Sequence, residues 1–255
     1  MAIEIEHFIC REDNYAVLMH DPESGETAAV DAPDGSALAS ALDERGWRLT
    51  HILCTHHHAD HTDGNAMLKE RYGARLIAPA AESGRIAGVD VALGDGEAVD
   101  VCGTCVTAIA TPGHTSGHIS YHLPEVGIAF TADCLFSLGC GRVFEGTMEE
   151  MHASLQRLAA LPGETIIYCG HEYTASNARF ALRVDPDNAA LRQRAAEVDR
   201  LRGEGRMTLP TTLASELETN PFLRVGNEAI RRLLGMTDEP DAAVFAALRR
   251  LKDQG

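Results

Sequence analysis

Thr55-His56-His57-His58-Ala59-Asp60-His61 puts four candidate metal ligands, His56, His58, Asp60 and His61, into one short stretch. Imidazole and carboxylate are the usual donors to first-row divalent metals, and ligands drawn from a single loop are brought together at little extra cost in chain entropy. Residues two apart point the same way in an extended segment but not round a helix. The spacing of His56 and His58 therefore predicts an extended approach, with His57 turned to the other side. Upstream, Ile52-Leu53-Cys54 is a short apolar run of strand character; downstream, residues 65–71 read as a helix ended by Gly73. The stretch is a strand-to-helix junction, where open α/β architectures expose functional groups.

A catalytic metal pair takes about three or four protein ligands per ion, so one loop with four candidates calls for more from elsewhere. Three segments answer. Thr111-Pro112-Gly113-His114-Thr115 follows the β-rich residues 106–110, Phe130-Thr131-Ala132-Asp133 ends the apolar run 126–130, and Cys169-Gly170-His171-Glu172 follows residues 165–168. Each candidate stands just past the end of a predicted strand. The remaining histidines, His7, His20, His51, His57, His118, His122 and His152, read as ordinary polar residues.

The first part of the chain alternates strand and helix. Residues 3–9, 15–19 and 27–30 read as strands, with a turn over 21–25 between the last two, and residues 36–45 read as a helix closed by Gly46. Further strands are expected near 75–78, 104–110, 118–123, 127–131 and 165–169. Thr147-Met148-Glu149-Glu150 is a capping-box signature for a helix running to about Ala160, with Met151, Leu155 and Leu158 on one face. Beyond His171 the pattern is helical over 174–184, 189–202, 227–234 and 241–252, with no convincing strand, and a boundary is expected near Tyr173.

Composition is that of an ordinary globular protein, 45% hydrophobic and 24% charged. A net charge of −16 argues against nucleic-acid partners, which select cationic surfaces. The stretch Met1-Ala2-Ile3-Glu4-Ile5-Glu6 is acidic and alternating, unlike a signal peptide, and no apolar run approaches bilayer length, so a cytoplasmic protein without membrane association is expected. The 7 cysteines are odd in number and scattered, which predicts buried thiols rather than a disulfide framework; Cys102 and Cys105 have no second pair to complete a zinc site.

Taken together, these stretches resemble the metallo-β-lactamase-fold hydrolases, and within them the glyoxalase II (hydroxyacylglutathione hydrolase) family, over nearly the whole chain. His56, His58, Asp60 and His61 match the T-H-x-H-x-D-H loop, His114 the T-P-G-H-T turn, Asp133 the bridging aspartate and His171 the G-H-E-Y ligand. The family assignment rests further on Asp133-Cys134-Leu135-Phe136, Gly139-Cys140-Gly141-Arg142, Glu145-Gly146-Thr147, Asn220-Pro221-Phe222-Leu223-Arg224 and Arg249-Arg250-Leu251-Lys252-Asp253. The resemblance implies an α/β fold, a metallo-β-lactamase αββα sandwich with a small C-terminal α-helical domain, divided into a catalytic domain over 1–172 and a helical glutathione-binding domain over 173–255. It implies two divalent metal ions, zinc first and iron or manganese acceptable. One would be held by His56, His58 and His114, the other by Asp60, His61 and His171, with Asp133 between. Asp60 and Asp133 would be catalytic alongside a bridging hydroxide.

The activity implied is a thioesterase that hydrolyses S-D-lactoylglutathione to D-lactate and glutathione, the second step of methylglyoxal detoxification. Arg142, Phe144, Tyr173, Arg249 and Lys252 would take the glutathione moiety, with Phe144 standing where many members of the family have a hydroxyl-bearing Tyr. The glutathione thioester would be the only partner, and a monomer is expected. The alternatives are a glutathione persulfide dioxygenase, which uses one iron and oxygen, or another hydrolase of this fold such as a lactonase or β-lactamase. The helical tail bearing Arg249 and Lys252 favours glyoxalase II over these. A noncatalytic binding protein of the same fold would have lost ligands, and here every ligand position is filled.

Overall fold

The computed structural model describes residues 3–254, so Met1 and Ala2 of the acidic N-terminal stretch, and Gly255, lie outside the described residues. In chain order the elements are β1 (Glu4–Cys10), β2 (Asn14–His20), β3 (Thr27–Val30), α1 (Gly35–Arg45), β4 (His51–Leu53), α2 (Ala59–Thr62), α3 (Asn65–Tyr72), β5 (Arg75–Pro79), a 3-10 turn (Ala80–Glu82), β6 (Val91–Leu93), β7 (Ala98–Val101), β8 (Thr104–Ala110), β9 (Ile119–Leu123) and β10 (Ile128–Ala132). They continue as β11 (Leu135–Phe136), β12 (Gly139–Cys140), α4 (Met148–Ala159), β13 (Ile166–Cys169), α5 (Thr174–Val184), α6 (Ala189–Gly203), β14 (Thr211–Thr212), α7 (Leu213–Thr219), α8 (Glu228–Leu234) and α9 (Asp241–Asp253). The described residues form two compact units, one from residues 3–110 and 117–130, the other from 111–116 and 131–254.

In the first unit, β1 to β6 form one sheet in sequence order, antiparallel from β1 to β3 and parallel from β3 to β6. Parallel neighbours need crossovers, and α1 and the α2–α3 pair supply two of them. Asp34 caps α1 by accepting from the Ser36 and Ala37 amides, and Gly46 closes it at a left-handed φ of 69°. Leu38 and Leu42 of α1 and Leu68 of α3 pack with Leu18, Ala29, Ile52 and Leu76 of the sheet in one core. Burying each such side chain is worth about 1.5–3 kcal/mol. Four strands, β7 to β10, then pair antiparallel in sequence. Cys102 and Gly103, both at positive φ, make the two-residue turn from β7 to β8, so the Cys102–Cys105 spacing belongs to a hairpin rather than a metal knuckle.

In the second unit, the capping box at Thr147 and Glu150 starts α4 as its sequence predicts, with Met151, Leu155 and Leu158 buried. Glu216 of α7 is wholly buried. Its carboxylate accepts from Ser137 Oγ, the Leu138 amide, Thr211 Oγ1 and Asn220 Nδ2, and burial nonetheless holds its pKa above the usual carboxylate value. Asn220 Nδ2 also donates to Phe136 O and Gly139 O, clamping the β11–β12 hairpin. The Asn220-Pro221-Phe222 motif thus has a physical basis: Asn220 holds the hairpin, and Phe222 is fully buried between Phe180 and Phe245. The segment beyond His171 is not purely helical, because β14 pairs antiparallel with β13. Two residues of strand are too short to show any alternation in sequence. Among the described residues no helix is long and apolar enough to cross a membrane.

Candidate metal centre

The loop from β4 to α2 is extended through His58, as its alternation requires. His57 turns away: its amide donates to Glu82 Oε2 at 2.6 Å and its Nδ1 lies 2.8 Å from the same oxygen. His56 and His61 are buried, their rings 4.2 Å apart, with the His58 ring 4.8 Å from that of His56. Asp60 Oδ2 lies 3.7 Å from His61 Nε2. The first unit therefore brings together all four ligands expected of this loop.

Asp31 organises them, and sequence reading passed over it. Its Oδ1 accepts from the Thr55 amide at 2.7 Å, and its Oδ2 from Thr55 Oγ1 and from His61 Nδ1, each at 2.8 Å. A carboxylate only accepts, so His61 must carry its proton on Nδ1. Because the Thr55 hydroxyl donates to Asp31, it accepts from His56 Nδ1 at 3.0 Å. One carboxylate thus fixes the tautomer of two rings and leaves Nε2 of each as the donor nitrogen, which is how outer partners tune a metal site. The signal was available: Asp31 stands immediately after β3, as the other candidates stand after their strands. Asp31→Ala is expected to weaken Zn(II) binding by about 10–100-fold, measured by competition with a chromophoric chelator, with Asp31→Asn between the two.

The second unit gathers the other three candidate ligands. His114 Nε2 lies 3.3 Å and His171 Nε2 3.5 Å from Asp133 Oδ2. Asp133 follows β10, which ends at Ala132, whose φ of 39° is unusual for a residue with a Cβ. A Cβ at Gly141 would sit 1.9 Å from Asp133 O, so only glycine permits this approach. His114 Nδ1 faces the Arg142 carbonyl at 2.9 Å and must donate to it. Its Nε2 then faces Asp133 Oδ2 at 3.3 Å, a nitrogen and an oxygen of the kinds that divalent metals take as donors. In both units the donors are imidazole Nε2 and carboxylate, with the second ring nitrogen held in place where its partner is defined. That donor set fits divalent metal.

The residues expected to take the substrate all belong to the second unit. Phe144 is 61% exposed, its ring 5.2 Å from that of His114; Tyr173 stacks on His171 at 4.8 Å and 2°. Arg142 is largely exposed, with Nε 3.7 Å from Asp253 Oδ1, and Lys252 Nζ lies 3.3 Å from Ser176 Oγ. Arg249 differs from the rest. It is 3% exposed, donates to Cys140 O at 2.8 Å and Asp253 Oδ1 at 3.0 Å, and covers the Phe222 ring. The cysteines are all free thiols. Burial pushes Cys54 and Cys169 well up, so each stays protonated and donates to the carbonyl of a metal-ligand candidate, His56 or His171.

Residues 16–171 match the metallo-beta-lactamase superfamily, and residues 172–255 match the hydroxyacylglutathione hydrolase C-terminus. A hydroxyacylglutathione hydrolase of Rhizobium meliloti is 56% identical, over 99% of this chain and 98% of its own. Among solved structures, ETHE1 from Myxococcus xanthus is 26% identical with a TM-score of 0.67, covering 100% of both chains. The BLEG-1 B3 metallo-beta-lactamase is 20% identical with a TM-score of 0.67, covering 86% of this chain and 99% of its own, a likeness of fold alone. The shared architecture is an α/β metallo-β-lactamase fold with a C-terminal helical region, and by sequence, over essentially its full length, the chain belongs to the hydroxyacylglutathione hydrolase (glyoxalase II) family of the metallo-β-lactamase superfamily.

Proposed function

We propose that the protein is a dinuclear-metal thioesterase that hydrolyses S-D-lactoylglutathione to D-lactate and glutathione. The observation that carries this reading is the convergence of His114 and His171 on one oxygen of Asp133, which supports a shared role for that carboxylate. His56, His58 and His114 would hold one ion, and Asp60, His61 and His171 the other, zinc being first choice for such donors and iron or manganese acceptable. When bound, divalent metal supplies Lewis acidity and lowers the pKa of water from 15.7 to about 7. Asp60 and Asp133 would orient the nucleophilic water, one of the two carboxylates holding its proton in a hydrogen bond. A thiol leaving group, of pKa about 8.5, departs without an added acid, whereas an amide nitrogen would need one. This favours a thioester over a lactam.

The glutathione moiety is assigned to Arg142, Phe144, Tyr173 and Lys252, with Arg249 behind them holding the backbone that leads to Arg142. Residues 1–172 act as the catalytic domain and 173–255 as the helical glutathione-binding domain. The seven free thiols suit a reducing compartment, and we assign the protein to the cytoplasm as a monomer, with neither nucleic acid nor membrane as a partner. A relative matched over nearly its whole length is named a hydroxyacylglutathione hydrolase, and that thioester specificity disfavours the persulfide dioxygenase, lactonase and β-lactamase alternatives.

The test is turnover by Zn(II)-loaded protein. One thiol and one D-lactate should appear per S-D-lactoylglutathione consumed. Oxygen uptake with glutathione persulfide, in protein that leaves the thioester intact, would replace this reading with the dioxygenase.

The pH profile gives a second check. Burial, reinforced by Arg249, Arg179 and Arg142 and partly offset by Cys140, lowers Lys252 to about 8. The ammonium is charged below that pH and lost above it, so its hold on an anionic moiety is complete on the acid side and fades as pH rises through about 8. KM should climb several-fold between about pH 7 and about pH 9, with a bound carboxylate drawing the midpoint upward. In Lys252→Arg, whose guanidinium stays charged, the rise should vanish. An identical rise in the variant would remove Lys252 from the binding site.

A further inference from the structure

The β1–β2 hairpin reaches the metal loop through a contact that neither the sequence motifs nor the family match assigns. Asn14 opens β2, paired in register with Cys10, and is 5% exposed. Its Nδ2 donates to Asp60 Oδ2 at 3.1 Å and to Asp60 O at 3.1 Å. At the hairpin tip, Arg11, in the left-handed region at a φ of 53°, pairs with Asp63, the C-cap of α2. The hairpin therefore holds both ends of this single helical turn.

The two bonds from Asn14 do different things. The Ala59 carbonyl of this four-residue helix accepts from the Asp63 amide, and the Asn14 side-chain N–H donates to the next carbonyl, that of Asp60. The other fixes the carboxylate. The Asp60 side chain is 40% exposed, so packing does not by itself set its rotamer, and a second point of attachment is needed to keep one oxygen turned to the Asn14 amide and towards His61 Nε2. An amide N–H can only donate, so it selects this orientation of an accepting carboxylate.

We infer that Asn14 is a positioning residue for Asp60, aligning its carboxylate for metal before metal arrives. The inference rests on the reading of Asp60 as a metal ligand, and the experiment separates the two. Zn(II) affinity of the full chain is measured by chelator competition in wild type, Asn14→Ala, Asp60→Ala and the double variant, with the thermal midpoint of each metal-free protein taken alongside.

Asn14→Ala should weaken Zn(II) binding by about 10–100-fold, the range for partners that orient a ligand. In the Asp60→Ala background it should add nothing, because the group it positions is gone. An Asp60→Ala protein with wild-type Zn(II) affinity overturns the reading of Asp60. With that reading intact, wild-type affinity in Asn14→Ala, or a penalty that persists without the Asp60 carboxylate, overturns the inference. If Asn14→Ala lowers the metal-free midpoint, Asn14→Ser, too short to reach Asp60, takes its place and the same outcomes decide.

Discussion

Asp133→Ala is expected to lose metal and turnover together. Asp133 is 6% exposed, and one of its oxygens faces both His114 Nε2 and His171 Nε2. Removing it takes a negative charge from a site built for cations and removes the group that relates the two rings. Partners that merely orient a ligand are worth about 10–100-fold, so a ligand itself should exceed that, and kcat should fall by at least about a hundred-fold. KM should change far less, because the proposed glutathione contacts are separate side chains. Asp133→Asn keeps the shape and drops the charge, and should retain part of the metal but little of the turnover. Metal analysis and kinetics on the same preparation check both. Wild-type kcat at full metal loading in Asp133→Ala would refute the assigned role.

Arg249→Ala is expected to act mainly on stability. Its guanidinium donates to the Cys140 carbonyl and to Asp253, and its Cζ lies 5.2 Å from the centre of the Phe222 ring. Hydrogen bonds from charged groups contribute about 1.5–3 kcal/mol; the bond to the buried Cys140 carbonyl should reach that range, whereas the one to exposed Asp253 is screened and adds less, with lost packing on Phe222 making up the rest. At about 2–4 °C per kcal/mol for a chain of this size, the thermal midpoint should drop by on the order of 10 °C. KM should rise as well, since Cys140 precedes the segment that carries Arg142, but the fall in midpoint is the larger effect. Arg250, exposed on the same helix, is the control, and its Ala variant should stay within about 0.5 kcal/mol of wild type. A wild-type midpoint in Arg249→Ala would show that the buried guanidinium contributes nothing to the fold.

The contrast between these arginines marks what is local and what is not. The spacing of Arg249 and Lys252 is plain in sequence, and α9 even carries Arg249 on the face of buried Phe245 and Leu248. That pattern could have warned of burial. Its partner could not be read, because Cys140 lies 109 residues away along the chain.

By itself the sequence determined the extended run that carries His56 and His58, the strand-end positions of His114, Asp133 and His171, the capping box of α4 and the helical character of most of the C-terminal part. These depend on side-chain alternation, helical period and hydrogen bonds between near neighbours, which covalent proximity fixes. Tertiary structure alone decided that Asp31 sets the tautomer of His56 through Thr55, 24 residues away, and that of His61 directly across 30, that Asn14 holds Asp60 across 46, and that Glu216 anchors the β11–β12 turn across 78. Such pairings form only after the sheet and helices have packed, and an isolated Asp, Asn or Glu looks the same in sequence whether it meets solvent or a ligand's second nitrogen.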